Sequence, residues 1–216
     1  MRALSGGHLA VDFASGSVPA LIPFMTDRFH LSYALAAMLL LAATASSSLV
    51  QPLFGLWSDR RGALWLIPGG VLLAAIGIGG AAVSPTYPIV LLLVLAGGLG
   101  SAAFHPEGAK FAGYASGERR ASGMSYFNIG GNTGYALGAF ATGQLVVWLG
   151  LRGCLAAMLP VALIGIGLAW LMPFFGRLRP SAATVAARGP VGEDDLRAMT
   201  LLAGVIALRS SQWFTF

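Results

Sequence analysis

Six apolar runs, each long enough to cross a bilayer and each closed by charged or turn residues, constrain this chain more than any other feature. A membrane-spanning helix needs about 20 largely apolar residues. The runs cover residues 4–25, 33–57, 64–83, 87–114, 121–149 and 155–175, and a seventh begins near residue 199. Asp27, Arg28 and His30 end the first run, and Asp59-Arg60-Arg61-Gly62 ends the second. Ser84-Pro85-Thr86 separates the third from the fourth, residues 116–120 form the next loop, and Arg152 marks the turn after the fifth. Residues 176–197 shift to Arg, Pro, Ala and acidic side chains, a linker composition. The expected organisation is a six-helix bundle over 1–175, a cytoplasmic linker over 176–197 and the truncated start of a seventh transmembrane helix over 198–216.

Composition supports this reading. Only 10% of the 216 residues are charged, against about a quarter in soluble domains, so an ordinary soluble enzyme fits poorly. Cys154 is the single cysteine and cannot close an internal disulfide. A cleaved signal peptide is a poor reading of the first run, because Asp12 would interrupt its apolar region.

The net charge of +5 is explained by loops rather than by nucleic acid. Arg2, Arg60, Arg61, Lys110, Arg119, Arg120, Arg177, Arg179, Arg188 and Arg197 fall on one side of the alternating spans, Arg28 and Arg152 on the other, and Arg209 lies inside the last run. Basic loops stay cytoplasmic, which places the N-terminus and the linker there. Trp57, Trp65, Tyr87, Trp148 and Trp170 fall near span ends, where amphipathic rings prefer to sit.

Inside lipid, helices approach closely through small residues spaced by four. The fifth run offers Gly130, Gly134 and Gly138, continued by Thr142, with Ser125, Asn128 and Asn132 roughly opposite. The glycine row reads as a packing face. The asparagines read as lining a cavity, or as a simple interhelical hydrogen bond. Thr44, Ser47, Ser48 and Gln51 form a weaker polar row in the second run, since hydroxyls can bond their own backbone. Gly98-Leu99-Gly100-Ser101-Ala102-Ala103 and Gly77-Ile78-Gly79-Gly80-Ala81-Ala82 match a dinucleotide-binding pattern literally, but neither follows a strand. His8, His30 and His105 are scattered along the chain, so no metal centre, cofactor site or catalytic constellation is expected.

Ionisable side chains within a span are costly and usually face water or a partner. His8 and Asp12 lie four apart on one face, extended by Ser15, Gly16 and Pro19. His105, Glu107 and Lys110 cluster around Pro106. At 1.5 Å per residue Asp12 lies roughly 12 Å into its helix and Glu107 roughly 30 Å along its own, which places both in the cytoplasmic half. Asp12, Glu107 and His105 read as groups that take up and release protons as a cavity changes its access. The alternative is a fixed Glu107–Lys110 ion pair and a locally bonded Asp12. Arg209 reads either as a contact for an anionic substrate or as a residue awaiting an absent partner.

Gly55-Leu56-Trp57-Ser58-Asp59-Arg60-Arg61-Gly62, between the second and third runs, resembles the loop signature of the major facilitator superfamily, without the basic pair that usually follows the glycine. The resemblance implies that Gly55, Asp59, Arg60 and Gly62 belong to a charge network that locks two halves together. From the residues alone, Asp59 could equally cap the third helix. Gly7-His8-Leu9-Ala10-Val11-Asp12, Gln51-Pro52, Phe104-His105-Pro106-Glu107 and Asn128-Ile129-Gly130-Gly131-Asn132 together resemble the fosmidomycin-resistance branch, a group of drug/proton antiporters. Gly134-Tyr135-Ala136-Leu137-Gly138 lacks the Gly-Pro pair usual in the antiporter signature.

The resemblance implies an all-α membrane protein, the six-helix N-terminal bundle of a major facilitator fold plus the start of transmembrane helix seven. It implies no enzyme activity, a lipid bilayer, protons and a small-molecule substrate as partners, and a C-terminal six-helix bundle or a second copy to complete the site. The expected activity is proton-coupled drug efflux at the inner membrane by a chain that is a fragment of a longer product. An uptake carrier on the same fold and a half-size, non-transporting interaction subunit are the alternatives.

Overall fold

The computed structural model describes residues 1–179 and 195–211. Most of the expected linker, including Arg188, and the side chain of Arg209 lie outside the described residues. Residues 1–179 form one compact unit, built of helices α1 (Arg2–Phe29), α2 (Tyr33–Arg61), α3 (Leu66–Val83), α4 (Tyr87–Ser116), α5 (Arg120–Leu149) and α6 (Gly153–Trp170), followed by the short α7 (Met172–Gly176). Helix α8 (Leu196–Ser211) belongs to a second unit and is described by itself.

Each boundary has a local cause. His30 takes a left-handed conformation and ends α1, and the Ser32 hydroxyl accepts from the Leu35 amide to start α2. Gly62, at φ +61°, ends α2, a conformation that costs a residue without a Cβ least. Helices α1 and α2 run about one turn beyond their apolar runs, so Asp59 and Arg60 sit in the last turn of α2 and Asp59 does not cap α3. The stretch Arg120–Trp170 would be about 77 Å long as one helix, far beyond a hydrocarbon core of about 30 Å. It is divided by the 3-10 turn Gly150–Arg152 into α5 and α6. The sixth run breaks at Leu171, because Pro173 supplies no amide and starts the separate α7. The seventh run begins at Leu196, where Asp195 Oδ1 accepts from the Ala198 amide at 2.9 Å.

The contacts define an up-and-down bundle. Helices α1 and α5 run parallel, because Ser5, Leu9 and Phe13 of α1 meet Gly130, Gly134 and Gly138 of α5 in order. Helices α2 and α4 are also parallel, from the Tyr87 hydroxyl donating to the Leu35 carbonyl to Gly55 against the Pro106 ring. Helix α3 runs antiparallel to α4, with Gly70 against Gly100 and Gly77 against Gly97, backbone to backbone. The glycines that mimic a nucleotide-binding motif thus serve helix packing. Leu4, Val11, Phe104, Phe111 and Phe127 fill the core between the helices.

Candidate functional site

Among the described residues, two clusters of ionisable side chains lie within the bundle. The first joins α1 to α4. His8 Nε2 lies 3.2 Å from Asp12 Oδ2, and His105 Nε2 lies 3.2 Å from Asp12 Oδ1. One turn of α1 separates His8 from Asp12, so their pairing was legible in the spacing. The arrival of His105, 93 positions further along, was not, and the expectation of scattered histidines is corrected for His8 and His105. His30 instead ends α1.

The outer nitrogens of both rings are fixed. His8 Nδ1–H donates to the Phe127 carbonyl of α5 at 2.9 Å, and His105 Nδ1–H donates to the Ser101 carbonyl at 2.8 Å. A carbonyl only accepts, so each Nδ1 carries a proton. Each Nε2 then donates to Asp12 only when a second proton makes that ring an imidazolium. Without it, lone pairs face lone pairs. The His8 ring stacks on Phe127, centroids 4.1 Å apart, and stands edge-on to His105. Gly131 has no side chain because a Cβ there would lie 2.6 Å from the His8 ring and 2.7 Å from Asp12 Oδ2. Asp12 and His105 keep about a fifth and a quarter of their side-chain surface exposed, which leaves the cluster open to water on one side.

One ligand atom from each of His8, Asp12 and His105 lies within 4.8 Å of the others, a spacing that a metal ion also tolerates. Proton sharing already accounts for every nitrogen and oxygen of the cluster.

Asn128 and Asn132 flank Gly131 on α5 and are exposed, with no hydrogen-bond partner among the described residues. Tyr135 continues their side of the helix into a cleft with room for about 120 Å³, where Ser15 of α1, Thr44 and Ser47 of α2 and Gly98 of α4 also line the wall. Sequence reasoning missed Tyr135, although its spacing from Asn128 and Asn132 signals the shared face.

The second cluster lies where α2 meets α4. Glu107 is fully buried and does not join Asp12. Its Oε2 accepts from the Ser58 hydroxyl and, at 3.2 Å, from Lys110 Nζ. Lys110 also reaches Asp59 Oδ1 at 2.7 Å and Ser58 Oγ at 2.5 Å. Arg179, just past α7, places Nη2 3.7 Å from Glu107 Oε1 and stands over the Phe111 ring at 5.6 Å. Gly62 makes room for that guanidinium, since a Cβ would lie 2.7 Å from Arg179 Nη1. Arg60 is exposed and has no ion pair among the described residues. Arg179 and Ser58 carry no motif signal that would have singled them out.

A buried carboxylate depends on its cation. Replacing Lys110 by methionine should destabilise the bundle by about 3 kcal/mol, the low end for breaking a buried pair because Arg179 remains. Adding Glu107→Gln should recover more than half of that loss. Denaturation of the variants in detergent measures both.

Among the described residues, several helices long and apolar enough to cross a membrane, packed through glycine with titratable groups between them, make up a multi-pass membrane bundle. The chain belongs to the Major Facilitator Superfamily, which it matches over residues 4–215. It is 32% identical over 166 residues to the fosmidomycin resistance protein of Escherichia coli, covering 77% of this chain and 41% of that protein. It is 30% identical over 168 residues to the uncharacterized transporter YfnC of Bacillus subtilis, covering 78% of this chain and 41% of that one. The chain therefore spans about two-fifths of the length of these relatives. The solved structure of tetrameric PepTSo2 shares the fold, with a TM-score of 0.62 at 19% identity, covering all of this chain and 48% of that one.

Proposed function

We propose that the bundle is one half of a proton-coupled carrier that exports small molecules across the inner membrane by alternating access. The N-terminus and the loop after α2 face the cytoplasm. A facing six-helix bundle, from a longer product or a second copy, closes the pathway over the exposed side of Asn128, Asn132 and Tyr135. The carrying observation is Asp12 held between two imidazoles whose other nitrogens are committed to backbone carbonyls. Such a cluster holds its geometry only by binding protons, and loses it when the protons leave. That coupling of proton count to shape is what an antiporter needs. His8, Asp12 and His105 carry the protons. The Ser58, Asp59, Glu107, Lys110 and Arg179 cluster fastens the C-terminal ends of α2 and α4 and acts as a conformational lock.

Similarity to a fosmidomycin resistance protein supports export as the direction and fosmidomycin as the first probe. In inverted membrane vesicles from cells producing the carrier, an interior-acid gradient should drive labelled fosmidomycin inward, and a protonophore should abolish the accumulation. Accumulation only in right-side-out vesicles would establish uptake instead. No gradient-dependent movement of fosmidomycin or of a wider drug panel in either vesicle would reject the carrier reading.

A further inference from the structure

The end of the bundle opposite the α2–α3 loop carries two arginines that the transport reading does not use. Arg28 lies in the last turn of α1, and Arg152 lies in the 3-10 turn between α5 and α6. They are 124 positions apart, yet both line one open pocket with room for about 550 Å³, together with Val83, Leu149 and Leu151. Like charges gathered in one pocket repel unless an anion lies between them.

Their remaining contacts leave them free to bind one. Arg28 Nη1 donates to the Ala82 carbonyl at 3.2 Å, and its guanidinium stands 5.0 Å from the Phe29 ring centroid. That contact uses one of five N–H donors and fixes the orientation of the group. Arg152 is exposed and has no hydrogen bond or ion pair among the described residues. The nearest acid in sequence, Asp27, is exposed, does not line the pocket and pairs with neither arginine.

We propose that Arg28 and Arg152 bind the phosphate of an anionic phospholipid. Guanidinium groups match phosphate oxygens in charge and in hydrogen-bond geometry. The rest of the wall selects a lipid over a dissolved anion. Val83 and Leu149 line the same pocket with exposed apolar surface, and Trp148, next to Leu149 in the chain, is also exposed, a composition suited to the boundary between headgroups and acyl chains. An inorganic anion would gain nothing from those side chains, whereas a phospholipid would cover them. The site is separate from the proton cluster and does not depend on the direction of transport.

The test is native mass spectrometry of the delipidated carrier in detergent, titrated with phosphatidylglycerol and, separately, with phosphatidylcholine. One phosphatidylglycerol should bind ahead of any phosphatidylcholine. Arg152→Gln should weaken it about tenfold, the loss expected for a hydrogen bond to a charged group. Arg152 is exposed and makes no hydrogen bond or ion pair among the described residues, so this variant should keep its fold, and Arg28→Gln should give a loss at least as large. Inorganic phosphate at about ten times the lipid concentration should not displace the lipid. Equal binding of both lipids, unchanged affinity in Arg152→Gln, or displacement by free phosphate would each overturn the proposal.

Discussion

Replacing Gly134 by valine should prevent α1 and α5 from closing on each other and cost the bundle about 3 kcal/mol or more. The reason is geometric. A Cβ at Gly134 would stand closer to the Leu9 carbonyl oxygen than real contacts allow, and the same holds for Gly130 against Ser5 and Gly138 against Phe13. The obstacle is backbone, so no side-chain rotation relieves it, and the helices must separate along their length. Overpacking usually costs about 1–3 kcal/mol, and a backbone clash in the middle of the interface belongs at or above the upper end. Separation would also pull Ser17 from Thr142, now 2.7 Å apart, and the Phe127 carbonyl from His8. Gly113→Ala is the control. Nothing lies within 4 Å of a Cβ there, and alanine favours a helix by about 0.5–1 kcal/mol over glycine. Thermal unfolding in detergent should show Gly134→Val far below the native protein and Gly113→Ala at or slightly above it.

Asp12→Asn should abolish proton-linked transport while leaving the carrier folded and inserted. Asparagine keeps the volume of aspartate, and its amide oxygen can still accept from one imidazole. Its NH2 group, however, donates, so it satisfies one neutral ring at Nε2, and without the carboxylate charge the other ring is held less firmly as an imidazolium. Proton binding then no longer drives the shape of the cluster. Gradient-driven accumulation should fall to the level of vesicles lacking the carrier, whereas exchange of labelled for unlabelled substrate at equal pH should persist. Loss of both activities with normal insertion would make Asp12 a substrate contact rather than a proton carrier. Undiminished accumulation would remove it from the mechanism.

The fold was legible because lipid leaves a backbone few choices. Every amide inside the hydrocarbon must be bonded within its own helix, so run length and turn residues suffice to place six helices, and four-residue glycine spacing points to the face α5 turns toward α1. Boundaries were less legible. The helices α1 and α2 continue past their apolar runs because charged residues leave the bilayer without leaving the helix, and Pro173 breaks the sixth run inside an apolar stretch. The candidate site was legible only where its partners share a helix. His8 and Asp12 lie one turn apart, as do Glu107 and Lys110. The meeting of Asp12 with His105, and of Glu107 with Ser58 and Arg179, depends on how α1, α2 and α4 stack. No spacing along the chain encodes that. Depth alone suggested that Asp12 and Glu107 could be neighbours, but His105 and Glu107 lie two positions apart on α4 and so face opposite ways.

Proton release on substrate binding tests most directly the proposal that His8, Asp12 and His105 couple protons to the substrate. Adding fosmidomycin to the purified carrier in weakly buffered detergent solution, with a pH-sensitive dye, measures that release without any gradient or vesicle. The native carrier should release protons when it binds substrate, and Asp12→Asn should release none. Equal release from both, or substrate binding by the native carrier with no release, would contradict the proposal.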